Sequence, residues 1–193
     1  ALKHAWYWKW QHFRGIRPEG FALAIQNVKD GSITNTGNYD ITNLVLNNAT
    51  LNKIFAVNQT WNGGAGFYTL PVCYKEGSPC HPTFPSGHAT IAGASCTILK
   101  MYYDCDKAWA SLPGVQTGAL ARDAGSNPIL GPVEPIAGGA SLIAYTDADA
   151  AGMSIWGEIN KLASNVAIGR NWAGVHYRQD AIEGMLLGEQ VAI

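Results

Sequence analysis

Charge is scarce in this sequence. Charged residues make up 14% of its 193 positions, against roughly 25% in an average soluble domain, so part of its surface is expected to be covered by other protein. Thirteen basic and 14 acidic residues leave a formal net charge of −1, and such a balance sets up no global field toward nucleic acid or an anionic membrane. Any anion site has to be local. Long apolar runs are missing too: the densest stretch, Ile91 to Leu99, is about half of what a helical membrane span needs. The opening Ala1-Leu-Lys-His-Ala-Trp-Tyr-Trp-Lys-Trp has neither the continuous apolar region nor the cleavage site of a signal peptide. The four cysteines, Cys73, Cys80, Cys96 and Cys105, are not spaced like zinc ligands. Repeats and low-complexity tracts are absent as well.

What is present is a hydrophobic content of 47%, enough for one domain with a core. Aromatic residues at Trp6, Trp10 and Phe13 fit one helical face. On the same helix Lys9 and Arg17 would lie about 80° apart and look toward one pocket, with a bend at Arg17-Pro18. A polar loop follows from Asp30 to Asp40, then a second helical pattern on Leu44, Leu46, Leu51, Ile54 and Phe55. Asn58 to Pro85 reads as a Gly- and Pro-rich loop. Cys73 and Cys80 bracket part of it, where a disulfide would stiffen the approach to His81. Ser86 opens a helix running to Tyr103, and Cys96 within it reads as a buried thiol. Asp106 to Gly139 gives no clear element. A further helix is expected from Asp147 or Asp149 to Ile168, and a last one starting near Val175 and carrying His176 and Asp180 on one face. The fold class is all-α, a helical bundle with long loops.

Chemistry concentrates in two stretches, His81-Pro-Thr-Phe-Pro-Ser-Gly-His88 and Gly169-Arg-Asn-Trp-Ala-Gly-Val-His-Tyr-Arg-Gln-Asp180. Ser86 can cap its helix and Gly87 lets the chain lie close to a ligand, so the N–H groups of that turn can seat an anion. His88, in the first turn, sits where a helix N-terminus disfavours the imidazolium and suits the ring to acid/base work. The guanidinium of Arg170 can grip two oxygens of a tetrahedral anion, and a neutral His176 nitrogen can attack or ligate its central atom. Asp180 can orient that ring. Lys9 and Arg17 would complete a cage of three cations. Singly, each has an ordinary reading: a loop-to-helix junction, a carboxylate-paired arginine, a hydrogen-bonded core histidine, a solvated helix face. Only their conjunction carries weight.

Taken whole, Lys9, Arg17-Pro18, Pro85-Ser86-Gly87-His88 and Arg170, His176, Asp180 resemble the three-part signature of the vanadium-dependent haloperoxidases. Those enzymes share fold and site with type 2 phosphatidic acid phosphatases and bacterial acid phosphatases. The match spans nearly the whole chain, in order. Its departures from the phosphatases resemble the algal bromo- and iodoperoxidases: one more residue between Lys9 and Arg17, Gly169 in place of a common serine, and a longer gap between His88 and Arg170. His81 stands where algal enzymes of this type have a second active-site histidine, and Trp6 resembles a pocket aromatic of brown-algal members.

The resemblance implies a vanadate cofactor, vanadium(V) throughout, with His176 as the metal ligand and Lys9, Arg17, Ser86, Gly87 and Arg170 holding its oxygens. His88 would be the acid/base and Lys9 would polarise the oxidant, while His81 and Trp6 would shape halide access. The implied substrates are hydrogen peroxide, bromide or iodide, and an organic halogen acceptor. The alternatives are an acid phosphatase with His176 as nucleophile and His88 as proton donor, or an inactive oxyanion-binding fragment. Such enzymes are several hundred residues long. Residues 1–193 are therefore expected to form a single, incomplete C-terminal catalytic domain of a homo-oligomeric parent, secreted or in the cell wall.

Overall fold

Two serines start the longest helices of the computed structural model, which describes residues 1–35, 40–112 and 132–193. Ser86 accepts the Ala89 N–H at 3.5 Å to begin α5, Gly87–Tyr102. Ser154 accepts the Gly157 N–H at 3.0 Å to begin α6, Ile155–Trp172. With α7, Arg178–Ala192, they pack as a three-helix unit around small residues, among them Ala89, Ala92, Cys96, Ala163, Ala167 and Ala181.

Small residues let α5 and α7 meet almost backbone to backbone. A side chain at Gly188 would collide with the Thr90 carbonyl oxygen and stand 2.7 Å from the Ala94 nitrogen. One at Gly93 would meet the Met185 carbonyl oxygen, and one at Gly184 the Ser86 carbonyl oxygen at 3.1 Å. The interface is specific because only glycine fits there. Large apolar residues remain exposed on all three helices, including Ile91, Leu162, Trp172 and Leu186.

Ahead of this unit come α1, Leu2–Trp8, a π-helical turn at Lys9–Phe13, and α2, Pro18–Lys29, with proline at its first turn. Next are α3, Asn43–Leu46, and α4, Ala49–Trp61, the latter capped by Asn48. A second core of Ile25, Ile41 and Leu51, with Phe21, Val45 and Ile54 against it, joins α2 to α3 and α4. Buried Asn58 pins the following loop by donating to the Phe67 and Thr69 carbonyls at 2.8 and 2.7 Å.

The helical bundle is as expected from sequence, with local corrections. Lys9 and Arg17 do not share a helix, because Arg14 turns left-handed (φ 45°, ψ 37°) and ends the first segment. Trp10 and Phe13 lie exposed; only Trp6 of the aromatic set turns inward. The pattern from Leu44 to Phe55 breaks into two helices at Asn47 and Asn48, and the loop expected from Asn58 begins only after Trp61. α6 starts at Ile155, since Ser154 rather than Asp147 or Asp149 supplies the cap, and it runs on to Trp172. The end of the unassigned stretch forms β1 (Val133–Ile136), which pairs antiparallel with β2 (Ser141–Ala144) just beyond it, Glu134 facing Ile143. Most of that stretch, and the Thr36–Tyr39 part of the polar loop, fall outside the described residues. All four cysteines are free, Cys73 and Cys80 exposed and Cys96 and Cys105 buried, so no bridge closes the loop before His81.

Candidate active site

α7 does not begin at Val175. Tyr177 is extended (φ −83°, ψ 158°) and caps the helix from outside, so His176 lies in the preceding loop and Asp180 in the first turn. The two still meet, because Asp180 folds back on that loop. Its Oδ2 accepts the Tyr177 N–H at 2.8 Å and lies 3.3 Å from His176 Nδ1. Both residues are buried, at 4% and 3% exposure, so the pairing is screened little by water. Burial pushes the Asp180 carboxyl up, but donors from His176, Thr83 and the Tyr177 N–H outweigh it and hold the group below its ordinary value. Tyr177, half-buried beside that carboxylate, is pushed up to about 12, and its hydroxyl donates to the Ile16 carbonyl at 3.0 Å.

The Pro-Ser-Gly-His turn is locked onto the same aspartate. The Ser86 N–H donates to the Asp180 carbonyl at 3.0 Å, and Ser86 is fully buried. That N–H is therefore not part of an anion seat. Among the described residues, the N–H groups of Gly87 and His88 at the start of α5 have no protein acceptor. They remain free to donate to an anion. His88 is exposed overall, and partial desolvation of its ring, first, and then Arg170 and His176 hold it below its ordinary pKa.

Arg170, in the last turn of α6, donates from Nη1 to the Tyr74 hydroxyl at 2.7 Å and stacks over that ring at 5.2 Å. Among the described residues its buried Nε–H has no partner. An unpaired buried guanidinium donor costs free energy unless an acceptor fills the space, and an oxyanion is the acceptor suited to it.

Arg17 is committed differently. It donates from Nη1 to the Val175 carbonyl at 2.7 Å and from Nε and Nη2 to the His81 carbonyl at 3.2 and 2.6 Å. It thus ties the first, second and third motif segments together. Burial lowers the guanidinium from its usual value, with Asp180 and Glu19 opposing. Lys9 rests its ammonium over the rings of Phe13 and Phe84, 4.2 and 4.5 Å from their centroids. Lys9, Arg17, His81, Thr83, Phe84 and Asp180 line one cavity of about 660 Å³.

Trp6 and His81 meet as a stacked pair, 4.3 Å between centroids and 16° between planes. The Trp6 indole N–H donates to the Pro85 carbonyl at 3.1 Å. His81 Nδ1 lies 2.8 Å from the Pro82 carbonyl, which can only accept, and 3.2 Å from Arg17 Nη2, which can only donate; the shorter contact favours a proton on that nitrogen. Burial holds the ring below its ordinary pKa, as do the Arg17, His176 and Arg170 charges, against the Pro82 bond.

The structure thus brings Lys9, Arg17, His81 and Asp180 to one cavity, with His176 bonded to Asp180 and with Gly87, His88 and Arg170 close by in the fold. Sequence reasoning passed over Thr83, Tyr74, Tyr177 and Phe84. Thr83 sits inside a quoted motif and its position was the available signal; Tyr74 lies in a loop with no periodicity to mark it.

The VCPO second helical-bundle domain family matches residues 59–193. A vanadium-dependent bromoperoxidase of Ascophyllum nodosum is 36% identical over the whole chain, which corresponds to 31% of that protein. One from Corallina officinalis is 33% identical, again over the whole chain and 30% of the relative. The solved homohexameric vanadate-dependent bromoperoxidase AnII of Ascophyllum nodosum superposes with a TM-score of 0.74 at 32% identity, covering 99% of this chain and 31% of that one. The chain therefore spans about a third of the length of these relatives. By its fold, its three motif segments and these relatives, the chain belongs to the vanadium-dependent haloperoxidases, in the family of the VCPO second helical-bundle domain.

Proposed function

We propose that the chain is the site-bearing, C-terminal catalytic part of a vanadate-dependent haloperoxidase. The reaction would oxidise bromide or iodide with hydrogen peroxide to hypohalous acid, which halogenates organic acceptors. The observation that carries this reading is His176: a buried ring whose Nδ1 is committed to Asp180 and whose Nε2 is left to bond the centre of an oxyanion. The unpartnered Arg170 Nε–H and the Gly87 and His88 N–H groups fit that group's oxygens. Lys9 and Arg17 add positive charge from the cavity wall. Ser86 is fully buried and its hydroxyl caps α5, so its part would be to hold the turn in place.

When bound, vanadate would supply Lewis-acid activation of peroxide without changing oxidation state. The protein's part is to hold charge and move protons. With its pKa depressed, the His88 ring favours the neutral form and can take a proton from incoming hydrogen peroxide and return it later. Lys9, the cation on the cavity side, would stabilise charge on the transferred oxygen. His81 is fixed by Pro82 and Trp6, and the two rings would form a polar, rigid wall for halide. Histidine at that place favours bromide or iodide over chloride. The relatives named as bromoperoxidases favour this chemistry over phosphate-ester hydrolysis by the same residues. A homo-oligomeric parent, secreted or in the cell wall, belongs to the same reading; AnII is homohexameric.

The test is an assay with hydrogen peroxide, iodide, bromide or chloride, and a halogenation indicator, with and without vanadate, on the chain and on its longer parent. Vanadate-dependent turnover of bromide or iodide, lost in His176→Ala, is expected. Phosphatase turnover with no vanadate-dependent halogenation would overturn the proposal.

A further inference from the structure

Thr83 lies three residues before Ser86, is buried at 7% exposure, and has no place in the mechanism above. Its hydroxyl makes a short hydrogen bond to Asp180 Oδ2, the oxygen that also takes the Tyr177 N–H and faces His176. The same hydroxyl oxygen lies 3.4 Å from His176 Nδ1. A hydroxyl has one proton and two lone pairs. With its proton given to the carboxylate, Thr83 can present only a lone pair to His176. Nδ1 therefore faces two acceptors, the Asp180 carboxylate at 3.3 Å and the Thr83 oxygen at 3.4 Å.

Neither contact is short, and either alone would leave the ring free to tilt. Together they favour a proton on Nδ1 and fix the ring plane. A flipped ring would turn a C–H toward the buried hydroxyl and carboxylate, leaving both without a donor from it. Thr83 also doubles the tie between its segment and α7, since the Ser86 N–H holds the Asp180 backbone carbonyl at 3.0 Å.

We propose that Thr83 is a positioning residue: with Asp180 it sets His176 as the Nδ1–H tautomer, so that the Nε2 lone pair is presented to the oxyanion centre. The identity of that oxyanion rests on the haloperoxidase reading; the tautomer does not.

Long-range ¹⁵N–¹H correlation spectra of the chain carrying ¹⁵N-labelled histidine report the tautomer directly, and equilibrium dialysis with orthovanadate reports affinity. Wild type should show His176 protonated at Nδ1; protonation at Nε2 alone overturns the proposal whatever any variant does. Thr83→Val keeps shape and removes the hydroxyl, and it should give a mixed tautomer signal and weaken vanadate binding about tenfold. Thr83→Ser should restore both to within about twofold of wild type. A Thr83→Val protein with a lower melting temperature but unchanged ring signals and affinity would make Thr83 merely structural and overturn the assignment. Wild type with the Nδ1–H tautomer but no affinity for vanadate would support the role of Thr83 while sinking the haloperoxidase reading.

Discussion

The two walls of the site are built in opposite ways. On one side α5 and α7 touch through glycines, and their contact sets the Ser86 N–H on the Asp180 carbonyl and Thr83 on its carboxylate. On the other side residues 1–17 lean on the site by side chains: the Trp6 indole on Pro85, Lys9 over Phe84, Arg17 on His81 and Val175. Tyr7, Trp8, Trp10 and Phe13 around them stay exposed. The groups that must hold a fixed proton lie on the wall with no spare volume. The wall that supplies charge and shape rests on contacts that can be exchanged one at a time.

Gly188→Ala is the strongest way to break that contrast. Its methyl would meet the Thr90 carbonyl and the Ala94 nitrogen, and separating α5 from α7 should cost about 3 kcal/mol, read as a lower denaturation midpoint. A loss below about 1 kcal/mol would show that the joint can give, and that the rigid wall is not rigid.

Trp6→Phe should act more gently. It removes the bond to the Pro85 carbonyl but keeps an aromatic surface for His81, so about 1 kcal/mol is expected in the same denaturation experiment. A loss equal to that of Gly188→Ala would place the N-terminal wall on the same footing as the helical one.

The smallest effect is in pH. His81 and His88 are both held below their ordinary pKa, so the folded chain binds fewer protons than the unfolded one in that range. Stability should stay level above about pH 7 and fall as pH drops through roughly 6.5, the unfolded value. Denaturation midpoints between pH 8 and 5 would show the slope, and His81→Gln with His88→Gln should flatten it. An unchanged slope in the double variant would trace it to other groups.

The sequence was readable where one local rule decided the outcome. Ser86 as a helix cap, the apolar run after it and the helical class needed only propensity and periodicity. Reading failed where tertiary contacts overrode the local pattern. Nothing in the aromatic spacing of residues 6–13 signals a left-handed Arg14, and His176 and Asp180 fit a helical spacing even though Asp180 caps the helix from inside its first turn. Candidate residues could be found by type and order. Their commitments could not: that Arg17 spends its donors on backbone carbonyls, and that Thr83 completes the set around Asp180, depends on segments far apart in the chain.

Arg17 also bears on how the chain assembles. Its bond to the Val175 carbonyl closes a loop of 158 residues, and its bonds to His81 close one of 64. Ordering such long loops costs entropy before the contacts that reward it are made. The helical joint of α5 and α7 can form without residues 1–17; the pocket cannot. A partly folded species rich in helix would still lack the site, which makes oxyanion affinity a sensitive report that the two ends have met.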